Sequence, residues 1–275
     1  MRVIAFSNLK GGSAKTTSAV AIAAEAALRG KSVLVIDLDP QATLTISAGL
    51  RPGPAAAELL SGSRTPREAA LAVQDALGAY KQNRAKLEEP GEEAPAEFVA
   101  GAALHVLPAD RSLVGVERSS PMQLSARIVA LLNLIEGDYD YVMLDTPPQA
   151  SALVTSALAS ADEIVVPVAT GRGALDGLTD VIELTERMGL PRVTGAFATR
   201  VNKSSIHDRE LAEYVAQKIL SDAGEPIIGT YVRETVRVRE AEMARMPLAL
   251  YARDSTAGED YSAVLDEMDR AAASS

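Results

Sequence analysis

Lys10-Gly11-Gly12-Ser13-Ala14-Lys15-Thr16-Thr17 stands between a short apolar run, Val3-Ile4-Ala5-Phe6, and a long alanine-rich segment. Strand, glycine loop and helix in that order are the setting of a phosphate loop. Gly11 and Gly12 let the backbone turn its N–H groups inward. With the positive end of the following helix, those donors form an anion cradle. In such a cradle Lys15 neutralises β- and γ-phosphate charge, and the Thr16 hydroxyl holds a Mg²⁺ bridging those phosphates. The implied ligands are a nucleoside triphosphate and Mg²⁺, with Lys10 through Thr17 as the binding stretch.

Downstream segments read as support for that cradle. Thr16 to Arg29 carries Ala19, Ile22, Ala23 and Ala26 at helical spacing, with Gly30 as a stop. Ser32-Val33-Leu34-Val35-Ile36 is a nearly continuous apolar run, as expected of a parallel strand buried on both faces. It ends in Asp37-Leu38-Asp39-Pro40-Gln41. Carboxylates at the carboxyl end of such a strand lie where open α/β sheets bind ligands. Asp37 is expected to support Mg²⁺ through water and the Thr16 side chain. A second apolar strand, Tyr139 to Leu144, ends in Asp145-Thr146-Pro147-Pro148. An apolar strand closing on an aspartate is the Walker B pattern, which assigns Asp145 to the hydration shell of Mg²⁺.

The alternation of strand and helix signals predicts an α/β fold, a mostly parallel twisted sheet with helices on both faces. We read residues 1–275 as a single domain, with about 51–103 as a variable insertion. Within it Pro66 to Leu87 reads as one helix, and the acidic Pro/Gly tract Glu88 to Pro95 as a mobile loop. Strands are expected at Leu104–Leu107, Ile164–Val168, Thr194–Val201 and Ile227–Gly229. Helices are expected from Met122 to Glu136, Ala174 to Met188 and Asp208 to Ala223. His105 reads as structural, since no nucleophile or second histidine accompanies it, and His207 as a helix-boundary residue.

The spacing K-G-G-x-x-K-[ST] at Lys10–Thr16 departs from the ordinary phosphate loop and resembles the deviant Walker A loop of the ParA/MinD family of dimerising ATPases. Asp37–Gln41 resembles that family's D-x-D-P-Q switch, and Asp145–Pro148 its second switch. The block from Tyr231 to Tyr261, with Arg233, Arg237, Glu240-Ala241, Pro247, Tyr251, Ser255 and Tyr261, resembles the C-terminal part of ParA proteins. The resemblance implies that the nucleotide is ATP, that Lys10 reaches across a homodimer interface to the partner's nucleotide and that Asp39 positions the attacking water. Lys10, Lys15 and Asp39 would then carry catalysis. It places Thr199 or Asn202 against the adenine. It also implies binding to DNA without sequence preference through Arg233, Arg237, Arg239 and Arg245, with Arg200 and Lys203 secondary. A ParB-like centromere-binding partner would stimulate hydrolysis and release the DNA. With no extension before the first strand, the chain is similar to the short form that lacks a helix-turn-helix. Ala14 stands where most family members carry glycine.

Composition narrows the classes. The absence of cysteine excludes disulfides and thiolate metal sites, and with them the iron–sulfur relatives of this superfamily. No secretory signal or membrane-length apolar stretch is visible, so a cytoplasmic protein is expected, and the resemblance implies that it associates with the nucleoid. The net charge of −10 opposes polyanion binding by bulk electrostatics, yet residues 192–253 hold ten Lys/Arg against eight Asp/Glu. Two alternatives stay open. A MinD-like membrane ATPase would need a basic amphipathic tail, whereas the chain from Asp254 onward holds six acids and one arginine. A dethiobiotin-synthetase-like ligase would need a polar substrate pocket.

Overall fold

The computed structural model describes residues 1–72, 74–84, 101–220 and 227–274. Seven strands form one sheet: β1 (Arg2–Phe6), β2 (Ser32–Asp37), β3 (Gln74–Asp75), β4 (Ala103–Leu107), β5 (Tyr141–Asp145), β6 (Glu163–Ala169) and β7 (Val193–Thr199). Their order is β3-β4-β2-β5-β1-β6-β7, parallel throughout except for β3, which pairs antiparallel with β4. β1 therefore sits inside the sheet, with β5 on one side and β6 on the other. The chain leaves β1 toward one half of the sheet and β5 toward the other. Such a reversal is where open α/β sheets bind ligands.

The strands are apolar on both faces because both are covered. On one face Val3, Ala5, Leu34, Ile36, Val142 and Leu144 pack in a core with α3 (Ala55–Ser61), α4 (Pro66–Leu71), α6 (Leu113–Val116), α7 (Pro121–Leu134), α8 (Ala152–Ala159) and α9 (Asp176–Met188). On the other, Ile4, Phe6, Val33, Val35 and Met143 meet α1 (Lys15–Leu28), α2 (Thr43–Ser47), α5 (Ala76–Arg84), α11 (Val236–Met243), α12 (Leu248–Tyr251) and α13 (Thr256–Ala273). α10 (Ile206–Ala216) follows β7 and packs on it. The alanines of α1 are functional in packing terms. Ala19, Ala23, Ala26 and Ala27 are fully buried, so the helix is sandwiched between sheet and C-terminal helices at close approach.

α1 is also tied to the C-terminal part by charge. Glu25, almost fully buried, accepts hydrogen bonds from Arg29, Arg253 and Ser262. Burial pushes its carboxyl up, but the bonds from Arg253 and Arg29 outweigh that and hold it below the ordinary carboxylate range.

Three expected elements differ. The helix expected over Pro66–Leu87 is two helices, α4 and α5, separated by the short edge strand β3. Asp75 ends the first path and starts the second, because its Oδ1 accepts from the backbone N–H of Leu77 and Gly78, a helix cap. Ile227–Gly229 forms no strand. Ile228 instead plugs the space over Gly195, where a Cβ would lie 2.7 Å from its Cδ1. α10 begins two residues earlier than expected, because Ser205 caps it through the N–H of Asp208. The acidic tract Glu88–Pro95 lies outside the described residues.

Candidate nucleotide site

The carboxyl ends of β1, β2, β5 and β6 converge. β1 runs into the loop Lys10–Thr17, and Asp37 and Asp145 stand opposite each other at the ends of β2 and β5. Gly12 has φ 74°, the left-handed region that glycine enters without cost. Ala14 also lies there, at φ 67° and ψ 21°, immediately before α1. Ala42, before α2, repeats this at φ 55°. Both loops that border the site thus close on a left-handed alanine, each carrying backbone strain of roughly 1 kcal/mol.

Lys15 is 6% exposed, and among the described residues its Nζ has only long contacts, to Ser13 Oγ at 3.4 Å and the Lys10 carbonyl at 3.5 Å. Burial pushes its ammonium below the ordinary lysine range, partly opposed by Asp145 and Asp39. A buried cation with such weak partners is suited to an anionic ligand. Thr16 Oγ1 donates to Asp145 Oδ2 at 2.8 Å. Asp145 is fully buried, and its Oδ1 has no hydrogen-bond partner among the described residues. Burial, and then the nearby Asp37, raise its carboxyl well above the ordinary range, against the pull of Thr16 and Lys15. A hydroxyl, a carboxylate and an orphaned carboxylate oxygen form an oxygen donor set that fits a hydrated Mg²⁺.

Asp37 makes no direct hydrogen bond to Thr16 among the described residues, so the Thr16 link expected from the sequence is not formed. Its Oδ2 accepts from Thr45 N at 2.9 Å and Thr45 Oγ1 at 2.7 Å, and its Oδ1 from Asp39 N at 3.1 Å. Thr45 Oγ1 in turn accepts from Ala109 N. Burial raises the Asp37 carboxyl to about 6 despite the Thr45 bonds. These bonds shape the loop that carries Asp39, while Thr16 bonds Asp145. Asp39 itself is 9% exposed, and its Oδ1 accepts from Gln41 N at 2.9 Å.

Beside the loop lies a cavity of about 220 Å³ whose lining includes Ala14, Thr17, Thr199, Val232, Val238 and Tyr261, together with the charged Arg200, Arg233, Glu234 and Arg239. Thr199 is buried and its Oγ1 has no partner. Tyr261 hydrogen-bonds Ser18 Oγ through its hydroxyl, and burial pushes its phenol up to about 12, so it stays protonated. Tyr261, Val232 and Val238 were not singled out from the sequence as wall residues. Tyr261 was visible only as part of the C-terminal pattern. Asn202 does not reach this cavity. Its Oδ1 accepts from Ser204 N, which builds the turn into α10.

Of the basic candidates, Arg237, Arg239, Arg245, Arg200 and Lys203 are exposed. Arg237 pairs with Glu240 at 2.9 Å, a surface pair that contributes about 0–1 kcal/mol. Arg233 is different. Its guanidinium is fixed by Asp260 and the Thr256 carbonyl, and its own N–H donates to Asp260 Oδ2. It fastens α13 to the segment before α11, so its charge is largely engaged within the chain. The other basic residues keep solvent-facing charge.

Comparison with known proteins places the chain. A family model described as an AAA domain matches residues 1–190. The chromosome-partitioning ATPase Soj of Thermus thermophilus is 31% identical over 98% of this chain and 95% of its own length. The chain belongs to the ParA/MinD family of P-loop ATPases. The chromosome partitioning protein ParA of Caulobacter vibrioides is likewise 31% identical, over 91% of this chain and 87% of its own. Among solved structures, apo McdA of Cyanothece superposes with a TM-score of 0.71 at 20% identity, covering 98% of this chain and 99% of that one. This likeness carries the fold, and the two relatives carry the family. The ParA/MinD chain thus combines a P-loop ATPase sheet with a site whose deviant loop, Lys10–Thr17, stands at the end of its inner strand.

Proposed function

We propose that this ParA-family ATPase, a single domain over residues 1–275, works as a DNA partition switch that binds Mg²⁺·ATP, dimerises and then grips DNA. The observation that carries this reading is the Thr16–Asp145 pair with its orphaned oxygen, set beside a cavity where Thr199 Oγ1 is also orphaned. Two unpaired buried polar atoms, one at the phosphate end and one at the base end, describe a nucleotide-shaped need. Phosphates rest on the N–H groups of the loop at Gly11–Thr17, and Lys15 offsets their charge. Thr16 and Asp145 would hold Mg²⁺, which would supply charge neutralisation to the phosphates. Asp39 orients water toward the γ-phosphate, and Lys10 serves the partner's nucleotide.

DNA contact falls to Arg237, Arg239, Arg245, Arg200 and Lys203. With net charge −10, such contact stays local and weak, and a dimer doubles it. A ParB-like partner stimulates hydrolysis, and the protein resides on the nucleoid. The membrane alternative is disfavoured by α13. Its apolar residues Val264, Leu265 and Met268 are already buried in the core, leaving an acidic face outward. Among the described residues no helix is long and apolar enough to cross a membrane. Titration with a non-hydrolysable ATP analogue and Mg²⁺, by calorimetry, tests the reading. Micromolar binding that Lys15→Ala abolishes supports it, and no heat of binding refutes it.

A further inference from the structure

Lys10 is not poised over its own loop. Its Nζ donates to the carbonyl oxygens of Arg172 at 2.5 Å and Gly173 at 2.8 Å, in the segment between β6 and α9. That segment is shaped for the purpose. Gly171 and Gly173 have φ 131° and 66°, which turns successive carbonyls to one side. A Cβ on Gly173 would collide with the Asp176 carboxylate and lie 3.1 Å from Lys10 Nζ. A Cβ on Gly177 would collide with Asn8 and lie 3.0 Å from Lys10 Cβ. Both ends are anchored. Thr170 N donates to the Thr199 carbonyl and Thr170 Oγ1 to that of Arg200, while Asp176 N donates to the Gly173 carbonyl. Buried Asn8 fixes the other partner, because its Oδ1 accepts from Lys10 N and its Nδ2 donates to the Pro167 carbonyl.

We propose that the 170–175 segment is a holding site for the Lys10 ammonium, with Asn8, Gly173 and Gly177 as positioning residues. It rests on the reading of Lys10 as the residue that crosses to the partner's nucleotide. Two neutral carbonyls solvate an ammonium without neutralising it, so the group is set aside but remains ready for a phosphate, a stronger acceptor. In the nucleotide-free chain the holding site keeps Lys10 out of the dimer face. Dimerisation then carries the cost of emptying it, which lowers apparent dimer affinity by the fraction of lysine released. No covalent step is involved.

Competitive amine labelling of the nucleotide-free full chain with limiting acetic anhydride, read by mass spectrometry, tests this. Exposed Lys203 is the internal standard. Lys10 is expected to label about 10-fold more slowly than Lys203, since two charge-assisted hydrogen bonds must open first. Gly173→Ala is expected to bring the two rates within about twofold of each other, and Arg172→Ala, which retains its carbonyl, to leave the ratio unchanged. Equal rates in the wild type overturn the holding site, as does wild-type protection in a folded Gly173→Ala chain. If Gly173→Ala does not fold, the wild-type ratio decides alone. The crossing role is read separately, by sedimentation with a non-hydrolysable ATP analogue. Protected Lys10 together with undiminished dimerisation of Lys10→Ala supports the holding site and overturns the crossing reading.

Discussion

Thr16 Oγ1 donates to Asp145 Oδ2, and the second oxygen of that fully buried carboxylate has no partner. A buried carboxylate left half-satisfied costs stability unless a ligand completes it. Asp145→Asn keeps the shape but removes the charge that a hydrated cation needs. We expect the gain in nucleotide affinity on adding Mg²⁺ to fall by about 10–100-fold, while affinity without Mg²⁺ changes little. Calorimetric titrations with and without Mg²⁺ check this. An unchanged Mg²⁺ effect would remove Asp145 from the metal site.

Ala14 stands at φ 67° with a Cβ that this region disfavours. Ala14→Gly relieves about 1–2 kcal/mol of strain, offset by about 0.5–1 kcal/mol of extra unfolded-state entropy. The net expectation is a chain more stable by up to about 1 kcal/mol, a rise of a few degrees in Tm. Ala14→Val, β-branched, should lower Tm instead. Scanning calorimetry of the three chains decides it.

Asp37 and Thr45 form a buried pair at 2.7 Å. Asp37→Ala strands the Thr45 hydroxyl and two backbone N–H groups, so we expect a loss of about 2–4 kcal/mol in urea unfolding. Thr45→Val should cost less, about 1–3 kcal/mol, because it strands only the Ala109 N–H while the Thr45 and Asp39 N–H groups keep their acceptor. If Asp37→Ala left stability intact and abolished Mg²⁺ binding, the metal role expected of Asp37 would outweigh the structural one.

His105 Nδ1 lies 2.9 Å from the Tyr139 hydroxyl, and burial lowers its pKa, against the pull of Asp75. The unfolded imidazole takes up its proton near pH 6.5, the folded one only at lower pH. Stability is therefore full above that value and declines as pH falls through it. The Tm of the wild type should drop more between pH 7.5 and 5.5 than that of His105→Gln, which does not titrate there. Parallel slopes would contradict this.

Arg233 and Arg239 separate structure from DNA contact. Arg233→Ala breaks the fork to Asp260 and should destabilise by about 1–3 kcal/mol. Arg239→Ala should leave Tm unchanged and lower the slope of log affinity against log salt by about 1. Mobility shifts at several salt concentrations, with melting curves, distinguish the two. A change in DNA affinity for Arg233→Ala at unchanged Tm would reverse the assignment.

The phosphate loop and Asp145 were legible because each is a local pattern closing an apolar strand, and a parallel sheet forces such strand ends together. The surroundings of Asp37 were not legible, for a physical reason. D-x-D after a strand says where a carboxylate sits, but not that Thr45, eight residues on, folds back to take both hydrogen bonds of one oxygen. The Arg233–Asp260 pair joins elements that no spacing rule connects. The break between α4 and α5 was readable in principle, since Asp75 three residues before Gly78 is a capping signal. Helical composition around it masked the cap. The holding of Lys10 by Arg172 and Gly173 depends on two left-handed glycines whose φ no sequence pattern states.

The central claim is that nucleotide state, through Lys10, governs the grip on DNA. A mobility-shift titration on non-specific duplex DNA, comparing ATP, ADP and no nucleotide for wild type and Lys10→Ala, tests it most directly. The account predicts a shift with ATP alone, abolished in Lys10→Ala and weakened by added salt. A shift of equal affinity in all three nucleotide states, or one that Lys10→Ala retains in full, would contradict it.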